Sequence, residues 1–183
     1  CELYPAQRDM HISIMEKLDE LKEQEKSIRN SISSDLEAKT NPDLLKIEGM
    51  ILAHQTFAQQ LANTEELFDH SDSQMASQFK TGSKSQKIDA LKELVEEILS
   101  SGEKVAIYSR FRKLQDVLTS HFKKDFPDAK IAYINGGITS EQRYEEAYTK
   151  FRDNDEYKIL LSTYSGAEGL NLNRCKYLIL FEP

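Results

Sequence analysis

The fold is decided by residues 158–183, which read KILLSTYSGAEGLNLNRCKYLILFEP. Two short apolar runs, at 158–162 and 177–181, enclose a segment rich in hydroxyl, amide and glycine residues. Such runs are typical of strands that are buried on both faces. Polar and glycine residues at the carboxyl end of a parallel strand are where an open α/β sheet binds phosphates and polar ligands. The stretch therefore predicts either a ligand-binding loop or an ordinary glycine-containing turn between two strands.

The residues upstream of this stretch alternate between apolar strands and amphipathic helices. Strands are predicted at 105–108, 131–134, 159–161 and 177–180, with helical patterns before and between them. Strands that alternate with helices form right-handed βαβ units and a parallel sheet. Because the carboxyl ends of parallel strands share one edge of the sheet, we expect the loops after the strands to meet there.

Polar and basic residues follow the predicted strands. The first strand is followed by Ser109, Arg110, Arg112 and Lys113, the second by Asn135, Gly136 and Gly137, and the third by Ser162 and Thr163. Each group alone is also consistent with a solvated cluster or a simple turn. Together at one edge they predict a track for a phosphate backbone. The net charge of −7 argues against a generally basic surface but is compatible with such a local site.

The N-terminal part of the chain has the periodicity of helices. An apolar stripe at three- and four-residue steps runs from Met10 to Ile32, and it predicts one long helix that begins near Pro5 and continues to Thr40. Asn41 and Pro42 predict a stop and a restart before a second stripe. We therefore predict an antiparallel helical hairpin over residues 1–68, a polar linker over 69–84 and an α/β domain over 85–183.

The composition is that of a globular protein, with 39% hydrophobic and 30% charged residues. No apolar run approaches the ~20 residues of a membrane span, and no signal peptide is recognisable at the N-terminus. The two cysteines and four dispersed histidines have no metal-ligand spacing, so we expect no metal site in this chain. Because the chain begins at Cys1 without Met and ends on a predicted strand, we expect it to be a piece of a longer protein.

Several motifs resemble the second lobe of superfamily-two helicases, and most closely that of the Swi/Snf-type DNA-translocating ATPases. The family's motif V is matched by Ser162, Thr163, Gly166, Gly169, Leu170, Asn171 and Leu172. Residues 104–111 resemble motif IV and residues 134–143 resemble the segment that follows it. Glu182 stands where the family usually has Asp. The resemblance is strong over residues 85–183 and loose over 1–84, where the helices resemble the family's helical protrusion.

The resemblance implies an α/β, RecA-like (P-loop NTPase-type) second helicase lobe with a parallel sheet, incomplete at its C-terminus and preceded by an α-helical hairpin. It implies that ATP and Mg²⁺ bind between this lobe and an N-terminal RecA-like lobe in the full-length enzyme, and that double-stranded DNA crosses both lobes. The implied ATP-binding residues are Gly166, Gly169 and Asn171. The implied DNA-binding residues are Ser109, Arg110, Gly136, Ser162 and Thr163. The protein would work inside the cell, in the cytoplasm of a bacterium or in the nucleus of a eukaryote.

The chain lacks the motifs that cradle the phosphates of ATP and hold Mg²⁺, namely a G-x-x-x-x-G-K-[S/T] loop and an acidic Walker-B box. In the family an arginine finger would follow beyond Pro183, so we expect no catalytic residue in this chain and no ATP hydrolysis by it alone. Two alternatives remain open. One is a strand-separating helicase, which the G-L-N-L form of motif V, in place of G-x-D, disfavours. The other is a helical-hairpin protein-interaction module with a small α/β domain and no nucleotide binding.

Overall fold

The computed structural model describes residues 3–69, 76, 78–79, 82, 84–167 and 169–182. The chain divides after Lys87 into two compact units, Cys1–Lys87 and Ile88–Pro183. Most of the linker predicted over 69–84 lies outside the described residues. No helix within the described ranges has both the length and the apolar character that a membrane crossing requires.

The first unit is an antiparallel helical hairpin, as predicted. Its helices are α1 (Pro5–Ser31), α2 (Asp35–Thr40) and α3 (Pro42–Asn63), followed by a 3-10 helix (Glu65–Phe68). Leu21 of α1 lies in one apolar cluster with Ile51, and Ile14 lies in another with Leu61. The pairing of a later residue of α1 with an earlier residue of α3 shows that the two helices run in opposite directions. Asn41 caps α3, because its Oδ1 accepts hydrogen bonds from the amides of Asp43 and Leu44 at 3.1 and 3.0 Å.

The first helix ends earlier than its apolar stripe predicts. Helix α1 stops at Ser31, and the three residues that follow are not helical. The Ser34 hydroxyl accepts a hydrogen bond from the Glu37 amide at 3.2 Å, and the Glu37 carboxylate accepts one from the Ser33 amide at 3.1 Å. Serine side chains that bond the backbone in this way compete with helix continuation. The prediction of one helix from Pro5 to Thr40 was therefore wrong, because α2 starts with its own cap.

The second unit is a four-stranded parallel sheet with flanking helices. In chain order the elements are α4 (Gln86–Ser100), β1 (Val105–Ser109), α5 (Arg112–Asp125), β2 (Lys130–Ile134), α6 (Ser140–Tyr144), a π-helix (Glu145–Arg152), β3 (Tyr157–Thr163), α7 (Tyr164–Ala167) and β4 (Tyr177–Leu180). The strand order is β2-β3-β1-β4, and all neighbouring strands are parallel. The predicted α/β fold with a parallel sheet is confirmed.

Helices cover the sheet on both faces. Buried Ala106 and Leu160 lie in one apolar cluster with Ala147 and Phe151 of the π-helix. Because side chains alternate along a strand, Ile107 points to the opposite face. Helix α5 packs against β1 and β3. The π-helix continues directly from α6, which begins with a capping box formed by Thr139 and Gln142.

A buried lysine joins the start of β1 to the end of the π-helix. Lys104 is 4% exposed, and its Nζ donates to the carbonyls of Phe151 and Asn154 at 2.6 and 2.8 Å. The Asp155 carboxylate lies 3.5 Å from the same Nζ. Burial disfavours the charged form of Lys104 and lowers its pKa below 10.5. The negative charge of Asp155 acts in the opposite direction but has the smaller effect. This lysine supplies a donor to the Phe151 carbonyl in the last turn of the π-helix, where helical partners are missing, and a second donor to the Asn154 carbonyl, which also accepts from the Tyr157 amide at 3.2 Å.

Candidate functional site

The carboxyl edge of the sheet brings the predicted DNA-binding residues together. Ser109 at the end of β1 is aligned with Thr163 at the end of β3, and Ser162 is aligned with the last residue of β2. Strand β3 lies between β2 and β1. The loops that contain Gly136 and Arg110 therefore start on either side of the end of β3, so all five residues belong to one edge.

Burial divides these five residues into two groups. Ser109, Ser162 and Thr163 are 2%, 0% and 6% exposed. Arg110 and Gly136 are exposed. The Ser109 hydroxyl donates to a backbone carbonyl two residues later at 3.3 Å, and the Ser162 hydroxyl donates to the Thr163 carbonyl at 3.0 Å. The buried hydroxyls thus support the loop backbone, whereas Arg110 and the glycine turn are accessible to a ligand.

Glu182 connects the loops that follow β1, β3 and β4. Its Oε2 accepts a hydrogen bond from the Arg110 amide at 2.7 Å, and the residue is only 8% exposed. The hydroxyl of Tyr164, the first residue of α7, donates to the backbone carbonyl of Glu182. Hydrogen bonds to an ionised acceptor are stronger than neutral ones. The acidic residue after β4 therefore fixes the backbone from which the Arg110 side chain extends.

Gln115 of α5 connects the ends of β2 and β3. Its Nε2 donates to the carbonyls of Ile134 and Leu161 at 2.9 and 3.2 Å, and its Oε1 accepts from the Asn135 side chain at 3.3 Å. Asn135 in turn accepts from the amide of Gly137 at 3.0 Å. Gln115 is 5% exposed, so these bonds are shielded from water. The sequence analysis missed Gln115. The available signal was a glutamine among the apolar positions of α5, next to Leu114.

A basic cluster lies at the beginning of α5. Arg112 and Lys113 occupy its first turn, which has no acidic residue and no side-chain cap. The Arg112 guanidinium lies beside the turn after β2, because a Cβ placed on Gly137 would be 3.3 Å from Nη1. The N-terminus of a helix carries a partial positive charge and suits an anion. Together with Arg110, these groups make this part of the edge positive.

The two predicted ATP-binding glycines are required by the shape of the loop. Gly166 in α7 is buried, and a Cβ there would lie 2.6 Å from Cγ2 of Ile134 in β2. Gly169 has a φ of +72°, a left-handed conformation that residues with a Cβ rarely adopt. The first glycine permits close packing and the second permits the turn back toward β4.

Asn171, the third predicted ATP-binding residue, is exposed. Its backbone amide donates to the hydroxyl of Tyr148 on the π-helix at 3.2 Å. The end of the loop with the implied ATP-binding residue thus rests on the π-helix, whereas the Arg110 backbone rests on Glu182. The sequence analysis did not predict the contact between Tyr148 and this loop. Across the described part of the chain, no His, Cys, Asp or Glu side chains form a group of three that could hold a metal ion.

Comparison with known proteins identifies the class of this fold and site. Residues 86–183 match the model of the family described as the helicase conserved C-terminal domain. This match covers more than half of the chain, and the chain belongs to that family. The predicted second helicase lobe is therefore confirmed at the level of this family, and proteins of the Swi/Snf type are among those to which the chain is similar.

Particular relatives agree with this class. The Sulfolobus solfataricus SWI2/SNF2 ATPase C-terminal domain is similar with a TM-score of 0.68 and 23% identity, covering 100% of this chain and 69% of that chain. The SWI2/SNF2 ATPase core domain of the same organism has a TM-score of 0.69 and 23% identity, covering 100% and 33%. The ISWI chromatin-remodeling complex ATPase ISW2 of Saccharomyces cerevisiae is 30% identical over 98 residues, which are 52% of this chain and 8% of that protein. The chain spans 8 to 14% of the length of the curated relatives it matches.

Proposed function

We propose that this chain is the second lobe of an ATP-dependent double-stranded DNA translocase or helicase of the Swi/Snf type. In this proposal the DNA side is the edge formed by Ser109, Arg110, Gly136, Ser162 and Thr163, where the exposed Arg110 and Gly136 meet the phosphates and the three buried hydroxyl residues shape the loop backbone. The nucleotide side, which faces an N-terminal RecA-like lobe of the same protein, is formed by Gly166, Gly169 and Asn171. We expect the protein to work inside the cell, and in the nucleus if its source is a eukaryote.

The observation that carries the proposal is that the loop between β3 and β4 leads from the edge that holds the DNA-side residues to the nucleotide-side residues. The loop leaves β3 at Thr163, at the same edge as Arg110, and further along it the amide of Asn171 bonds the Tyr148 hydroxyl of the π-helix. A loop that contacts both ligands can convert a change in nucleotide state into a shift of the DNA contact. This gives a physical reason for the dense hydroxyl, amide and glycine residues of motif V.

The residues on the nucleotide side can make some of the contacts that a bound ATP needs. The Asn171 side chain is exposed, and its amide can both donate and accept hydrogen bonds to a ribose. Gly169 leaves the loop backbone open, because no atom lies within 4 Å of the position that a Cβ would take. ATP with Mg²⁺ would supply the free energy of phosphoanhydride hydrolysis in the full-length enzyme. The residues of this chain would orient the nucleotide without acting as acid, base or metal ligand.

The DNA side is tested by Arg110→Ala in the full-length protein, with duplex DNA titrated at several salt concentrations. Each neutralised phosphate contributes a slope of about −0.9 to log K against log salt, so the slope should become less negative by about that amount. The affinity should fall equally for different sequences, because phosphate contacts carry no base information. Arg174→Ala is the matched control, since Arg174 precedes β4 at the opposite edge and bonds Asp155 at 3.0 Å. If Arg110→Ala left the salt dependence of DNA binding unchanged, Arg110 would not be a DNA-binding residue.

The nucleotide side is tested by Asn171→Ala in the same protein. We expect the KM for ATP to rise while the affinity for duplex DNA stays nearly unchanged. A substitution that merely loosens the loop would weaken ATP and DNA binding together. An unchanged KM would show that Asn171 does not contact the nucleotide, whereas a full-length protein that neither binds nor hydrolyses ATP would support the alternative of a helical-hairpin interaction module.

A further inference from the structure

We propose that Tyr148 of the π-helix is a positioning residue for ATP binding, because its hydroxyl holds the backbone of Asn171 in place. This inference rests on the proposed function of Asn171. The contact is the hydrogen bond of 3.2 Å from the Asn171 amide to the Tyr148 hydroxyl. It joins two elements that are separate in sequence, so it can fix the loop relative to the sheet.

The Tyr148 ring is held by neighbours one turn before and one turn after it. The ring of Tyr144 lies 4.9 Å away between centres at an angle of 56°, and the Arg152 guanidinium lies 4.6 Å from the Tyr148 ring centre. Arg152 is itself fixed by two hydrogen bonds of 2.8 Å to the Asp153 carboxylate. Tilted aromatic pairs and cations near a ring are both favourable. The hydroxyl of Tyr148 is therefore presented from a side chain with restricted motion.

The backbone around Tyr148 is itself unusual. The Tyr148 carbonyl accepts a hydrogen bond of 2.9 Å from the Asp153 amide, five residues later, as in a π-helix. Such segments are rare and are frequently found at functional sites. In this chain the π-helix places one aromatic hydroxyl against motif V while Ala147 and Phe151 remain in the core. Apolar packing by itself does not account for the hydroxyl of Tyr148.

On both sides of Asn171 the loop is anchored to the apolar cluster to which the π-helix contributes. Leu170 and Leu172 pack against the apolar cluster that includes Ala147 and Phe151. With its neighbours packed and its amide bonded, Asn171 keeps its side chain exposed. That orientation is the one in which the side chain can meet a ribose. Loss of the Tyr148 hydroxyl should therefore release the Asn171 amide without emptying the core.

The test is Tyr148→Phe in the full-length protein, with steady-state ATP hydrolysis and amide hydrogen exchange as readouts. We expect the KM for ATP to rise about 2- to 10-fold, the effect of losing one neutral hydrogen bond, while kcat and duplex affinity stay within about 2-fold. Exchange of the Asn171 amide without nucleotide should accelerate by a similar factor. Tyr144→Phe is the matched control, because it keeps the ring that lies 4.9 Å from the Tyr148 ring and removes only the hydroxyl of an exposed side chain. It should change neither the KM nor the exchange.

The outcomes separate this inference from the proposed function. If Asn171→Ala leaves the KM for ATP unchanged, both proposals are wrong at this loop. If Asn171→Ala raises the KM but Tyr148→Phe does not, the positioning role is overturned and the proposed function stands. Equal effects of Tyr148→Phe and Tyr144→Phe, or unchanged exchange of the Asn171 amide in Tyr148→Phe, would overturn the positioning role as well.

Discussion

A single methyl group decides whether α7 can lie against β2. The Cβ that alanine would add at Gly166 falls 2.6 Å from Cγ2 and 3.3 Å from the backbone carbonyl carbon of Ile134. Overpacking of this kind costs about 1–3 kcal/mol. We expect Gly166→Ala to lower the free energy of unfolding by that amount, as measured by urea denaturation. The displaced α7 should also weaken the bond from Tyr164 to Glu182.

Gly169→Ala is the control for Gly166→Ala, because its cost has a different origin. No atom lies within 4 Å of a Cβ at Gly169, so only the left-handed backbone, worth about 1–2 kcal/mol, opposes the substitution. In an Ile134→Ala background the cost of Gly166→Ala should shrink, whereas the cost of Gly169→Ala should not. If Gly166→Ala cost the same free energy of unfolding with Ile134 present and in the Ile134→Ala background, the Ile134 side chain would not be what opposes a Cβ at position 166.

At the residue scale the sequence predicted which positions lie at the edge but not what holds them. Ser109, Arg110 and Thr163 were found because each ends or directly follows an apolar run, and a parallel sheet places those ends together. The residues that hold these positions in place could not be found in the same way. Gln115, Tyr148 and Glu182 act through hydrogen bonds to residues that are 19 to 72 positions away, and no local pattern encodes such pairs.

At the scale of elements, Lys104 links β1 to the π-helix, and its removal should be costly. Lys104→Met would leave the carbonyls of Phe151 and Asn154 without this donor, at a cost of about 1–3 kcal/mol in the free energy of unfolding. Lys158→Met is the matched control on β3, since its bond of 2.9 Å to the Gly102 carbonyl is exposed to solvent. We expect Lys158→Met to stay within about 0.5 kcal/mol of the parent. Equal losses for both variants would contradict a special role for the buried amine.

The same lysine predicts a dependence of stability on pH. Burial lowers the pKa of Lys104 in the folded protein below 10.5, so between the two pKa values the unfolded chain binds the extra proton. Stability rises with pH wherever the unfolded state binds more protons. The free energy of unfolding of the parent relative to Lys104→Met should therefore increase as the pH rises toward 10.5 and then level off. If the difference in the free energy of unfolding between the parent and Lys104→Met instead fell as the pH rose toward 10.5, folding would raise the pKa of Lys104 and not lower it.

The elements themselves were predicted where apolar runs are continuous, as in all four strands. The π-helix was not, because Ala147, Tyr148 and Phe151 have a spacing that also suits an α-helix. The break after Ser31 was missed since the apolar stripe continues to Ile32 while serine capping decides where the helix ends. The strand order depends on packing between distant segments, and periodicity carries no information about it.

At the scale of the whole molecule, we expect this chain alone to release no phosphate from ATP, with or without duplex DNA. The physical reason is that it has no phosphate-cradling loop and no acidic Walker-B box. Phosphate release would be compared between this chain and the full-length protein. DNA-stimulated turnover by the chain that survives both Asn171→Ala and Arg110→Ala would contradict the lobe assignment and the sites together.

The position of β1 in the sheet has a consequence for synthesis on the ribosome. Both of its neighbours are made later, since Ser109 aligns with Thr163 of β3, and β4 follows β3. At roughly 5–20 residues per second, β1 waits about 3–10 s for its first partner. During that time an apolar strand has no hydrogen-bonding neighbour, which is the condition that favours aggregation or chaperone binding. The nascent chain should therefore depend on chaperones most strongly between the synthesis of β1 and that of β3.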